Sequence, residues 1–244
     1  MSETRLSKKQ WGTIYNIAIA EKVANNVKAS NLSIQTKEML KLTKQDEYVL
    51  EIGAGSGETS AALAIAGKSV VAMDYSEDSV SLIKKVSQVL GIELKVVQED
   101  ASKKLAYNTD EFDVVFQAGL LEHFQQTERI ELLKEWGRVG KKIISIIPNA
   151  GCISYRVGMD RMIANGTWQY GLELPQYSLR EEFQMAGLLV DEEYSIGFEH
   201  GLTFLPKWDP IRISLSLLSK SLGPKKSLLQ GYLLITVGKK IIYN

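Results

Sequence analysis

Between Tyr48 and Ile147 five short apolar runs alternate with segments of helical period, and no other feature narrows the fold so far. Tyr48–Ile52 reads as a strand that ends in a glycine-rich turn, and Ser56–Ala66 as a small-residue helix. Ser69–Met73 is a second strand, followed by an amphipathic helix over Glu77–Leu90 that Gly91 stops. Glu93–Val97 and Phe112–Phe116 are the third and fourth strands, Thr127–Trp136 a helix and Lys141–Ile147 the fifth strand. Strands joined by helices of this length pair in parallel, and a parallel sheet must be covered on both faces. Right-handed crossovers then give a doubly wound α/β sheet.

The flanks follow other rhythms. Over the first 45 residues Trp11, Ile14, Tyr15, Ala18, Ile19 and Lys22 step by three and four, and Leu32 to Leu42 repeats the spacing, which predicts helix. After Pro148 the pattern breaks, and residues 149–177 mix Gly, Asn, Met and aromatics without a clean period. Helix Ser178–Ala186, strand Leu188–Ser195, a Gly- and Pro-marked stretch, helix Ile211–Leu222 and strand Tyr232–Val237 complete the chain. We expect one domain over 1–244, with 1–45 as a helical cap and 149–177 as an insertion over the sheet's carboxyl edge. The insertion has too little apolar material for a core of its own.

Lys plus Arg and Asp plus Glu are both 29, so the net charge is zero, which argues against coating of nucleic acid or anionic membrane. One Cys excludes an intrachain disulfide, and two His residues leave little for a His-based metal site, so no metal is expected. No apolar run is long enough to span a membrane and no leader opens the chain, so a reduced cytoplasmic setting is the expectation.

The segment VLEIGAGSGETS at 49–60 places Gly53, Gly55 and Gly57 between a strand and a helix. There the backbone must turn tightly and let a ligand approach without Cβ interference, and the new helix points its free N–H groups and positive end at that ligand. Asp74 ends the second strand, where a carboxylate can accept hydrogen bonds from a ribose diol. Asp100 ends the third, beside the N–H of Ala101, where the pair can meet the amino edge of adenine. FDVVFQAGLLEHF at 112–124 is a fourth strand whose exit carries Gln117, Ala118, Gly119, Glu122 and His123. In an open parallel sheet these four segments converge outside the strands' carboxyl ends.

With these segments in this order over 48–124, the chain resembles class I S-adenosylmethionine-dependent methyltransferases of the broad small-molecule type. The resemblance implies a seven-stranded, mostly parallel sheet in the order 3-2-1-4-5-7-6, with the seventh strand antiparallel. It implies that Glu51, Gly53, Ala54, Gly55 and Gly57 line the methionine and ribose portion of S-adenosylmethionine. Asp74 would hold the ribose hydroxyls, with Tyr75 and Ser76 beside the adenine. Asp100 and Ala101 would hold the adenine, and Gln117 and Ala118 would face the methionine portion. Trp11 and Tyr15 precede the fold where family members often place an aromatic lid, and core packing is the other reading of both. A dinucleotide-binding dehydrogenase fits less well, because its third glycine falls one residue later than Gly57. The Asn-Pro-Pro-Tyr-like element of adenine or glutamine methylases is absent, since the stretch reads Gln-Ala-Gly-Leu, and so is the acidic metal cluster of catechol-methylating enzymes.

Methyl transfer to oxygen or nitrogen requires loss of a proton from the acceptor, and His is the usual group near neutral pH. His123 and His200 both map to the carboxyl edge, each preceded by a Glu (Glu122, Glu199) able to orient it. A plain helix-start role is the alternative for His123. The insertion's aromatics and Met residues read as an acceptor wall or a packed cap, with Arg156, Asp160 and Arg161 as polar anchors. Cys152 follows the fifth strand and reads as a small buried hydrophobe or as a residue that approaches the site, and Lys220, Lys225, Lys226, Lys239 and Lys240 read as a solvated basic surface or as a contact with RNA or another anionic partner. The expected partner is a small-molecule methyl acceptor. The other classes are a methyltransferase on RNA or protein and a non-catalytic S-adenosylmethionine-binding module. Nothing in the sequence speaks to oligomeric state.

Overall fold

The computed structural model describes residues 4–222 and 229–240; Lys225 and Lys226 lie outside them. Seven strands form one sheet: β1 (Tyr48–Ile52), β2 (Ser69–Asp74), β3 (Lys95–Gln98), β4 (Phe112–Ala118), β5 (Gly140–Pro148), β6 (Leu188–Ile196) and β7 (Leu233–Lys240). Their order is β3-β2-β1-β4-β5-β7-β6. β1 pairs in parallel with β2 and β4, while β7 runs antiparallel between β5 and β6. The order reverses between β1 and β4, so a crevice opens at their carboxyl ends.

The helices are α1 (Lys8–Ile14), α2 (Ala20–Lys28), α3 (Ile34–Leu42), α4 (Glu58–Ile65), α5 (Glu77–Leu90), α6 (Gln126–Val139), α7 (Ile153–Ala164), α8 (Arg180–Met185), the single turn α9 (Phe198–Gly201) and α10 (Pro210–Leu222). Alternate residues of the central strands face opposite sides. Leu50, Ile52, Val115 and Ile143 pack with Leu132, Leu133 and Trp136 of α6. Val49, Val114 and Ile144 pack with Met39 of α3 and Leu63 of α4. Burial on both faces explains why these strands read as continuous apolar runs. α5 begins at Ser76, whose hydroxyl caps the first turn, with Glu77 and Asp78 favouring the helix's positive end, and stops at Gly91 with φ +66°. Among the described residues no helix is long and apolar enough to cross a membrane.

Two flanking expectations change. The three-and-four spacing from Trp11 to Lys22 is not one helix. α1 ends at Ile14 with Tyr15 as its C-cap, and the Asn16 side chain accepts from the Ala18 N–H at 3.1 Å to start a new turn. A local cap of this kind competes with helix continuation, which periodicity alone cannot reveal. Within 149–177, where no period is visible, the chain forms α7. Its buried residues Tyr155, Gly158 and Met159 do stand at helical spacing and pack with Phe204 and Tyr232, but the glycine among them removes one apolar mark from the pattern. A Cβ on Gly158 would come within 2.6 Å of the Phe204 carbonyl oxygen.

Candidate functional site

The turn after β1 is built around left-handed glycines: φ is +69° at Gly53, +51° at Gly55 and +73° at Gly57. A side chain is strained there, and a Cβ on Gly57 would sit 2.9 Å from Ile83 of α5. Two carboxylates hold the turn. Asp74 accepts from the Gly55 N–H through Oδ2 and from the Ser76 N–H through Oδ1, both at 2.9 Å. Burial pushes its pKa up against these hydrogen bonds. Glu51 accepts from the backbone and the hydroxyl of Ser60 in α4, and burial pushes its pKa up to about 8. Glu51, Gly53, Ala54, Gly55, Tyr15 and Ala118 line one small cleft beneath the turn. Tyr15 lies against Gly55, where an added Cβ would meet its ring at 3.2 Å.

A cavity of about 290 Å³ continues along the ends of β1, β2 and β3. Gly53, Asp74, Tyr75, Asp100 and Ala101 line it from the sheet side, and Arg5, Leu6, Lys8 and Trp11 cross it from the N-terminal segment. The Lys8 ammonium stands 5.1 Å from the centre of the Tyr75 ring. Burial pushes Asp100 up, but hydrogen bonds from the Ser102 hydroxyl and N–H, with Lys103 and Lys8 nearby, hold its carboxyl below the usual range. A glycine cradle at one end and two carboxylates at successive strand ends match what S-adenosylmethionine presents: a charged amino-acid tail, a ribose diol and an adenine amino edge. The N-terminal segment is tied across this cavity, because the Leu172 N–H donates to the Thr4 carbonyl at 3.1 Å.

A second chamber, of about 440 Å³, lies beyond Trp11 and His123, and these two residues line both spaces. Its walls include Ala118, Glu122, Trp168, Tyr170, Glu173, His200, Phe204 and Tyr232. His123 occupies the single turn Leu121–His123 after β4 and is only 6% exposed. Its Nδ1 donates to the Leu172 carbonyl at 2.6 Å, which leaves Nε2 as the basic nitrogen. Burial holds its pKa below the usual histidine range, so the ring is neutral at pH 7. His200 stacks on Tyr232 at 5.3 Å between ring centres, and burial lowers its pKa as well.

Several expectations about individual side chains are corrected. Gln117 does not reach a cavity: fully buried, it donates to the Ser145 hydroxyl at 2.6 Å and accepts from the Leu120 N–H at 2.8 Å, so it shapes the turn after β4. Ser76 is 1% exposed and serves as the α5 cap, one step removed from the cavity through Asp74. Glu122 does not orient His123; a backbone carbonyl does. Arg156 bonds the Tyr177 hydroxyl and Arg161 pairs with Asp209, so neither is free to anchor an acceptor. Tyr155 and Met159 pack behind the chamber, whereas Trp168 and Tyr170 face it. Cys152 is buried. Lys239 and Lys240 pair with Asp191 and Asp110.

Glu173 is the site residue that sequence reading misses. It lies in the aperiodic stretch, and only the fold brings it beside Glu122. Among the described residues no group of three or more His, Cys, Asp or Glu side chains is placed to hold a metal ion.

Comparison with known proteins agrees with this geometry. A methyltransferase-domain family model matches residues 49–142. A ubiquinone biosynthesis O-methyltransferase of Aeromonas salmonicida (strain A449) is 26% identical over 150 residues, 58% of this chain. The chain spans 63% of the length of that curated relative. Among solved structures, a magnesium protoporphyrin IX methyltransferase from Synechocystis PCC 6803 with bound SAH superposes with a TM-score of 0.58 at 14% identity, over 96% of this chain and 93% of that one. A [4+2]-cyclase superposes with a TM-score of 0.61 at 13% identity, over 98% of each chain. At such identities these likenesses show the fold alone, and one fold hosts more than one chemistry.

Proposed function

We propose that this chain, which belongs to the class I S-adenosylmethionine-dependent methyltransferases, transfers a methyl group to an oxygen or nitrogen of a small-molecule acceptor. The observation that carries the reading is the pair of cavities that meet at Trp11 and His123. One has the glycine cradle and strand-end carboxylates a nucleoside needs, and the other is an aromatic chamber with space for an acceptor.

Glu51, the Gly53–Gly57 turn and Ala118 hold the methionine portion, Asp74 the ribose, and Tyr75, Asp100 and Ala101 the adenine. S-adenosylmethionine supplies an electrophilic methyl on a sulfonium whose leaving thioether is neutral. The protein's remaining work is alignment, exclusion of water and removal of a proton from the acceptor. Trp11 and Tyr15 close the cofactor cleft from above. His123, neutral and with Nε2 basic, takes the acceptor's proton, and His200 with Tyr232 forms the far wall. Residues 1–244 act as one catalytic unit, with 1–45 capping the cofactor and 149–177 capping the acceptor. Among the described residues no Lys or Arg lines the acceptor chamber, which favours a small molecule over RNA.

The test is transfer of radiolabelled methyl from S-adenosylmethionine to a metabolite extract separated into small-molecule, RNA and protein fractions. Label in the small-molecule fraction is expected. Label confined to RNA or protein overturns the acceptor class, and binding without transfer to any fraction overturns the enzymatic reading.

A further inference from the structure

We infer that the acceptor is a cationic amine, held by the Glu122–Glu173 carboxylate pair inside the aromatic chamber; this rests on the methyltransferase reading above. Glu122 is 2% exposed, and its Oε2 has no hydrogen-bond partner among the described residues. Leaving a buried carboxylate oxygen unpartnered is costly, because the desolvation penalty is uncompensated. Glu173 lines the same chamber, and the Tyr155 hydroxyl donates to its Oε2 at 2.9 Å, which fixes its direction. Burial raises the proton affinity of both carboxylates, and the nearby Glu173 raises that of Glu122 further.

Among the described residues no Lys or Arg lines the chamber to compensate them. A metal ion would need further ligands, and the described residues offer no third. The missing partner is therefore a cation carried by the ligand. Trp168, Tyr170, Phe204 and Tyr232 supply aromatic wall on the same chamber, which suits an ammonium on an apolar body. Such an acceptor must lose one proton to expose its lone pair. The ammonium gives that proton to Nε2 of the neutral His123, forming a free amine and an imidazolium in the chamber His123 shares with the carboxylates. Charge and atoms balance without a further reactant.

The experiment is calorimetry of the full chain saturated with S-adenosylhomocysteine. Matched probes are titrated: phenethylamine against 2-phenylethanol, tryptamine against tryptophol and hexylamine against hexanol. At least one amine is expected to bind tenfold or more tightly than its alcohol, with Glu122→Gln and Glu173→Gln each removing that preference. Circular dichroism and unchanged S-adenosylhomocysteine affinity confirm that the variants are folded. No amine preference in the wild type, a preference that survives both variants, or one that appears only with added Mn²⁺ overturns the inference. Absence of S-adenosylhomocysteine binding to wild type is a different failure and overturns the methyltransferase reading itself.

Discussion

Trp11 stands edge-on to His123, with ring centres 5.2 Å apart and planes inclined at 71°. One residue comes from the first helix and the other from the turn after β4, so the contact joins the N-terminal segment to the switch point of the sheet. Both rings border both cavities. In the proposed reaction the methyl group passes from one space to the other at this seam. The sheet supplies the carboxyl edge, and Arg5, Leu6, Lys8 and Trp11 add a wall across it.

The glycine turn gives the first prediction. Gly55→Val places a branched side chain at φ +51°, against the Tyr15 ring. Backbone strain of this kind costs about 1–3 kcal/mol, which a domain of this size survives, while the ligand's approach is blocked. The variant is expected to fold and to lose S-adenosylmethionine and S-adenosylhomocysteine binding. Unchanged affinity by calorimetry in a folded variant sinks the assignment of the cleft.

Asp74 gives the second. Its carboxylate fixes the Gly55 and Ser76 N–H groups and faces the cavity. Asp74→Ala is expected to weaken S-adenosylhomocysteine binding by about 1.5–3 kcal/mol, roughly ten- to 150-fold. NADH should not compete in the same titration. Tight NADH binding would point to a dinucleotide enzyme instead.

How much of this was legible before folding differs from residue to residue. Gly53, Gly55, Asp74 and Asp100 announce themselves because strand ends and tight turns leave local marks, and the structure brings all four to one crevice. The sheet order was expected from the resemblance and is observed. Gln117 was placed correctly along the chain, but its side chain is consumed by Ser145 and Leu120, and no one-dimensional pattern shows which neighbour claims an amide. The break after Tyr15 depends on a single Asn16 cap inside a good helical period. Glu122 and Glu173 are 51 residues apart in sequence and meet only through β5 and α7, so their shared chamber is a property of the tertiary structure.

Glu51 gives a pH prediction. Burial raises its folded-state pKa from 4.5 to about 8. The stabilisation from the protonated form is therefore full below about 4.5 and is lost as pH rises through about 8. The amino group of S-adenosylhomocysteine is a cation, and it favours the ionised carboxylate. Binding then expels a proton, and affinity should rise roughly tenfold from pH 6.5 to 7.5. Calorimetry across that interval checks this, and Glu51→Gln should flatten the dependence. A wild-type affinity that is flat with pH rejects contact between Glu51 and the amino group.

His123 gives the last prediction. Asn can keep the bond to the Leu172 carbonyl through its amide but has no basic nitrogen, so His123→Asn isolates proton acceptance from packing. The variant is expected to lower kcat by about 10²–10⁴-fold, the usual contribution of acid–base catalysis. S-adenosylhomocysteine affinity should change little, since the residue acts on the acceptor. Because the folded-state pKa is depressed, the neutral ring's contribution to stability is present above its ordinary value of about 6.5. That contribution is lost as pH falls through the lower folded value. The wild-type rate should fall over the same acid range as Nε2 takes up a proton, and the variant should lose that limb. A His that only shapes the seam with Trp11 makes the opposite pattern: weaker S-adenosylhomocysteine binding and an unaltered pH profile. Near wild-type kcat in His123→Asn would refute proton acceptance at Nε2 and shift the role to His200, the other imidazole that borders the chamber.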